Sequence, residues 1–211
     1  MDDNRLKYDI LKELFNISVG KASSILSEII DRKIILNVPD VEIVNMEKNE
    51  SDLDDCIPKN LDGIFMVSSI SFEQELQGKA NLIFSAEKMR TFINLCLNND
   101  EEDNCYDMNF SDVDFDVIKE IGNIVLNSVV GEVGNLLDLR LTYTLPEVKI
   151  FNRVDFVKDI DSKEYMQILI LHITFLIDNS KIEGAILMRL TLKSLTEIMT
   201  KIEKLEDELY E

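Results

Sequence analysis

Tryptophan is absent from the 211-residue chain, histidine occurs once, and proline and cysteine occur three times each. Each scarcity excludes something. His172, the sole imidazole, lies in an apolar strand-like run and reads as a hydrogen-bonded strand residue rather than a catalytic base. Cys56, Cys96 and Cys105 cannot all pair within one chain, and their spacing fits no zinc or redox motif. They read as reduced thiols in a cytoplasm. Basic residues are few: 22 against 41 acidic ones give a net charge of −19. That field repels nucleic acid and anionic membranes and favours a partner with a basic patch. Long apolar runs are missing too. The best, Ile168 to Ile177, is too short to cross a bilayer and contains His172 and Thr174. The start, Met1-Asp-Asp-Asn-Arg5, lacks the basic and apolar regions of a signal peptide, so a cytoplasmic location is expected.

What is present is a repeat. Asp9-Ile-Leu-Lys-Glu13-Leu-Phe-Asn16 is followed by Pro39, and Asp116-Val-Ile-Lys-Glu120-Ile-Gly-Asn123 by Pro146. All four pairs lie 107 positions apart (116 − 9, 120 − 13, 123 − 16, 146 − 39). A packing role would more often keep apolar residues, so a duplication that keeps polar ones suggests two copies of a site. A single Glu-x-x-Asn on a helix would be solvated surface, and Pro39 or Pro146 alone a turn or strand-edge residue.

Apolar periodicity predicts a helix from about Arg5 to Ile30. Leu11, Leu14, Phe15, Ser18, Ala22, Ile25 and Ile29 fall on its buried side, and Asp9, Glu13, Asn16 and Gly20 opposite. A second helix is predicted over about Asp112 to Leu137. Ile118, Ile121, Val125, Val129 and Leu136 make its buried side, and Asp116, Glu120, Asn123 and Asn127 the other stripe. Strand-like segments follow each helix: Val41–Val44, Gly63–Phe72 and Gly78–Phe84, then Val148–Phe151, Tyr165–Ile177 and Glu183–Leu190. Asp178-Asn-Ser180 reads as a hairpin turn. Amphipathic helices close the halves at about Ala86–Leu97 and Leu192–Leu209. The acidic stretch 98–111 reads as a linker between repeats spanning about 5–97 and 112–209, and 47–55 as a second soft region.

Neither half offers enough elements to stand alone. The expectation is one α/β domain of α+β type over residues 1–211. It has a pseudo-two-fold internal repeat: two long site-bearing helices on a shared, largely antiparallel sheet.

Glu at i and Asn at i+3 are neighbours on one helix face. The Glu is an anionic acceptor; the Asn offers a neutral donor and acceptor but no general base. The pair has neither nucleophile nor metal shell. It can support hydrolysis if a partner brings the electrophile: the amide orients an attacking water and the carboxylate anchors a partner's lysine. Asp9 and Asp116, one turn away, extend that anchor or stay solvated.

Asp-x3-Glu-x2-Asn-x22-Pro resembles the signature of the CheC/CheX/FliY family of response-regulator phosphatases. Lys119-Glu-Ile-Gly-Asn-Ile-Val-Leu-Asn127 is similar to that family's second active helix, and Leu11-Lys-Glu-Leu-Phe-Asn-Ile-Ser-Val-Gly-Lys-Ala22 to its first. Two intact motifs are closest to the CheC branch. The resemblance implies hydrolysis of the aspartyl phosphate of CheY-P. It makes Glu13, Asn16, Glu120 and Asn123 catalytic, with Asp9, Asp116, Pro39 and Pro146 in support. It implies no cofactor or metal on this chain, Mg2+ on the partner regulator, and CheD, a receptor deamidase, as a second partner. The rival expectation is a non-enzymatic module that sequesters the regulator or tunes a CheD-type deamidase. A third is a phosphatase for a regulator outside chemotaxis. One departure stands out. The family usually has Gly before the first Asn, as Gly122 precedes Asn123, whereas Phe15 precedes Asn16. The first site is therefore expected to be the weaker.

Overall fold

A computed structural model of the chain describes residues 3–45, 57, 63–97, 109–160, 167–178 and 180–209. In chain order the elements are α1 (Asp3–Ile30), β1 (Ile34–Asn45), β2 (Ile64–Gln74), β3 (Gly78–Ser85) and α2 (Ala86–Cys96). Then come α3 (Asp112–Leu137), β4 (Leu141–Tyr143), β5 (Glu147–Asn152), α4 (Arg153–Ile160), β6 (Gln167–Ile177), β7 (Ser180–Leu190) and α5 (Leu192–Leu209). The expected elements are all present. The structure adds β4, α4 and an extension of β1 back to Ile34. Most of the expected linker, the soft region at 47–55, Cys56 and Cys105 lie outside the described residues.

The seven strands of the described residues form one sheet in the order β1-β6-β7-β3-β2-β4, with β5 also paired to β2. Every pairing is antiparallel. The repeat is visible in this order. β1, from the first half, lies against β6 of the second, while β4 and β5 lie against β2 of the first. Each half thus lends its edge strand to the other.

One face of the sheet packs against α1, α2, α3 and α5. Leu11, Phe15, Val19 and Leu26 of α1 meet Val125, Val129 and Val133 of α3 in this core, with Phe175 in edge contact with both Phe84 and Phe92. The opposite face carries Phe65, Val67, Ile83, Ile168, Ile170 and Leu187, which pack with Phe156 and Ile160 of α4 and with Ile57. Burying one such aliphatic or aromatic side chain contributes about 1.5–3 kcal/mol.

The buried side of α1 departs from the expectation at its end. Ile25 and Ile29 are 44% and 59% exposed. The turn between them and the sheet is lined by serines instead. Ser23 Oγ donates to Ile34 O at 2.6 Å, and Ile34 N donates to Ser27 Oγ at 2.9 Å, so α1 holds the start of β1 by its backbone. Leu14 and Leu136 are only half-buried. Both long helices then end alike: Asp31 (φ 54°) and Asp138 (φ 57°) occupy the left-handed region that lets a chain leave a helix.

Two strand glycines mark close approach. A Cβ on Gly184 would lie 2.4 Å from the Phe84 ring and 2.6 Å from Ile83 O; one on Gly78 would lie 2.3 Å from the Phe72 ring and 2.7 Å from Arg189 O. A backbone carbonyl cannot move aside cheaply. Gly184→Ala is expected to destabilise the fold by about 1–3 kcal/mol. Urea denaturation measures it; an unchanged midpoint would contradict this packing.

Arg90 ties α2 to the start of α3. Its guanidinium donates to Asp114 Oδ2 at 3.0 Å and to Asn109 O at 2.7 Å, and lies 4.2 Å from the Phe110 ring centroid. Asp114 also accepts from Ser111 N, completing a capping box with the Ser111 hydroxyl. Burial pushes the Asp114 carboxyl up, but the bonds from Ser111 and Arg90 outweigh it and hold it below the usual carboxylate range. A depressed folded value means stability that is present above the unfolded value, near pH 4, and lost on further acidification. Asp114→Asn is expected to be less stable than wild type by about 1–2 kcal/mol at pH 7, with the gap closing toward pH 3. Thermal unfolding across that range tests it; a gap independent of pH would contradict it.

Candidate active site

The two polar triads sit on α1 and α3, which pack side by side and are bridged by Lys21 Nζ to Glu132 Oε2 at 3.0 Å. Asp9, Glu13, Asp116 and Glu120 are exposed; Asn16 and Asn123 are half-buried. In each helix the carboxylates therefore stand outward and the amide is the more buried group.

The two amides are used differently. Asn16 Nδ2 donates to Lys12 O at 2.9 Å and to Val38 O at 3.1 Å, while its Oδ1 accepts from Val38 N at 2.7 Å. Both donors are thus spent on backbone. Val38 sits where β1 loses register with β6, between Asn37 and Asp40, immediately before Pro39. A bulge leaves ladder groups without strand partners. Asn16 supplies the partner and so acts as a clasp holding the break in β1.

Asn123 makes no such clasp. Its Oδ1 accepts from Asn127 Nδ2 at 2.7 Å, and among the described residues its own Nδ2 donates to no protein atom. The matching edge break lies between β4 and β5, at Thr144-Leu145-Pro146. There Thr144 bonds Ser71 through N–H and hydroxyl, both at 2.9 Å. Leu145 is 83% exposed beside it, whereas Pro146 is buried and Pro39 exposed.

Two substitutions between the repeats accompany the difference. Where α3 has Asn127, α1 has Gly20, so Asn16 has no side-chain amide one turn later to bond. Where α3 has Gly122, α1 has Phe15, which is wholly buried. A Cβ on Gly122 would lie 2.0 Å from Ser68 Oγ and 2.6 Å from Ser68 Cβ, so α3 lies directly on β2 at this point.

Beside the second triad, α3 and β5 leave an open cleft of about 420 Å³, lined by Phe115, Asp116, Lys119, Pro146, Val148 and Lys149 among others. It brings together Asp116 and Pro146, which the sequence pairs only by spacing. Asp9, Glu13 and Asn16 have no equivalent cleft among those described; Pro39 instead borders a groove on the sheet with Asp40, Glu42 and His172. Lys119 lines this cleft and Asn127 bonds Asn123, although neither was among the expected catalytic or supporting residues. Asn127 stood in the predicted stripe, one turn after Asn123, and that i+4 spacing was the available clue.

Residues 7–43, which span the first triad and Pro39, match the family described as CheC-like. Similarity to solved structures extends over nearly the whole chain at low identity. FliY from Thermotoga maritima superposes with a TM-score of 0.72 at 19% identity, covering 94% of this chain and 96% of that one. A chain of the FliM–SpeE complex from H. pylori gives 0.63 at 11%, covering 94% and 95%. A chain of the FliG–FliM complex from H. pylori gives 0.60 at 14%, covering 90% and 97%. No helix among the described residues is long and apolar enough to cross a membrane. Residues 7–43 thus match the CheC-like family, and over nearly the whole chain the fold is the one seen in FliY and in these complexes.

Proposed function

We propose that the chain hydrolyses the aspartyl phosphate of a CheY-type response regulator, chiefly at the Glu120–Asn123 site of α3. The observation that carries this reading is the uncommitted Nδ2 of Asn123, held by Asn127 and flanked by exposed Glu120. The regulator brings the phosphoryl group and its own Mg2+. Asn123 orients a water in line with the phosphorus. The water's oxygen bonds to phosphorus as the aspartyl O–P bond breaks, which releases phosphate and restores the regulator's carboxylate. Glu120 anchors a regulator lysine, and Asp116 extends the acidic surface that receives it. The net charge of −19 steers a partner presenting basic groups. The CheC-like match at residues 7–43 supports the same reaction class.

The spent amide of Asn16 favours a second, non-enzymatic role for the first face. Exposed Glu13 and Asp9 can still hold a basic partner there without assisting hydrolysis. Binding of a CheD-type deamidase belongs with that role.

The test is the decay of phosphate from a Mg2+-loaded, phosphorylated cognate regulator with and without the chain. Faster decay at substoichiometric chain supports the proposal. Decay slowed or unchanged, with a complex forming, would replace it with the binding role alone.

A further inference from the structure

We infer that Asp40, Glu42 and His172 form a binding site for a zinc-class divalent cation, on the sheet face opposite α1 and α3. Sequence spacing gives no hint of it, because the residues come from different repeats. β1 and β6 pair in the register Asp40↔His172. Glu42 lies two residues further along the same face of β1. The candidate ligand atoms of all three lie within 4.8 Å of one another, and His172 Nε2 already meets Glu42 Oε1 at 2.9 Å.

The bulge is what makes this grouping. Before it, Ile34, Leu36 and Val38 point into the helix-covered core; after it, Val41 does. The extra residue shifts the alternation by one, which turns Asp40 and Glu42 away from that core toward His172. Without it, both carboxylates would face the apolar side. The Asn16 clasp on Val38 therefore also sets the geometry of this cluster.

The donor set selects the ion class. One imidazole and two carboxylates suit zinc and its first-row neighbours; magnesium and calcium prefer oxygen alone. Zinc bonds of about 2.0–2.1 Å need ligand atoms about 3.3 Å apart, so closing the site takes small movements of exposed tips. Asp40 Oδ1 accepts from Val41 N at 2.9 Å, which fixes the other oxygen of that carboxylate. The same groove, of about 280 Å³, is lined by Thr174 and Glu183 and leaves room for water as a further ligand. Two carboxylates balance the ion's charge. A bound ion would join β1 of the first repeat to β6 of the second.

The experiment is equilibrium titration of the full chain with Zn2+, repeated with Co2+ for its absorption spectrum. One ion per chain is expected, with a cobalt spectrum that lacks a thiolate charge-transfer band. The midpoint of thermal unfolding should rise on the order of 5 °C at saturation. His172→Ala and Asp40→Asn should each weaken binding at least tenfold, and Asn123→Ala should leave it unchanged. Should His172→Ala fail to fold, Glu42→Gln serves the same purpose. No binding at millimolar Zn2+, a thiolate band, or binding that survives these variants would overturn the site.

Discussion

Asn123→Ala is expected to lower the rate of phosphate removal from a phosphorylated CheY-type regulator by ten- to a hundredfold, about 1.4–2.7 kcal/mol of barrier. The side chain is half-buried on α3, and its single described bond is the one it accepts from Asn127. Truncation therefore removes the free Nδ2 donor, which the proposal makes the water-orienting group, without opening the core. Affinity for the phosphorylated regulator should change little, because the lost contact belongs to the transition state. Asn127→Ala should give a milder loss in the same direction, since it frees Asn123 to swing without removing it. Stopped-flow decay at saturating regulator separates rate from affinity. A large fall in affinity with the rate constant kept would assign Asn123 to docking instead.

Asn16→Ala should behave as a folding variant. It deletes three hydrogen bonds and leaves Val38 N–H and C=O without their partner at the break in β1. Stranding partly buried backbone groups in this way costs about 2–4 kcal/mol in total. At about 2–4 °C per kcal/mol for a chain of this length, the midpoint of thermal unfolding should fall by roughly 5–15 °C. The release should be local. Amide exchange in β1 around Val38 and Val41 should accelerate more than in β3 or β7. An unchanged midpoint, with a loss of phosphatase rate equal to that of Asn123→Ala, would show that the clasp opens on binding and that Asn16 acts chemically.

Much of this arrangement was legible because the two copies report on each other. The shared spacing marks both helices and both prolines without reference to any strand. The break in β1 at Pro39 and the gap between β4 and β5 at Pro146 are what that spacing preserves. The direction of each asparagine was not legible. It depends on Gly20 against Asn127 and on the distance from helix to edge strand, which no periodicity encodes. Phe15 is wholly buried, on the side of α1 where the periodicity put it. The exposed flank at Ile25 and Ile29 misled because their apolar character outweighed Ser23 and Ser27, whose hydroxyls bond the start of β1. α4 escaped notice because Phe156 and Ile160 are the only fully buried residues in its eight-residue span. Its one local sign was the reciprocal cap between Asn152 and Asp155, where Asp155 N donates to Asn152 Oδ1 and Asn152 Nδ2 to Asp155 Oδ2. The grouping of Asp40 and Glu42 with His172 needed the β1–β6 register, a contact across 130 residues.

The central claim is that the Glu120–Asn123 face performs the chemistry and the Glu13–Asn16 face does not. The comparison that tests it most directly is Glu120→Gln against Glu13→Gln. Both carboxylates are exposed, so neither change should disturb the fold. Phosphate decay from the same Mg2+-loaded regulator would be followed with each variant. The expected result is a loss of about tenfold or more for Glu120→Gln, with Glu13→Gln within twofold of wild type. Equal losses from the two variants, or a larger loss from Glu13→Gln, would contradict it.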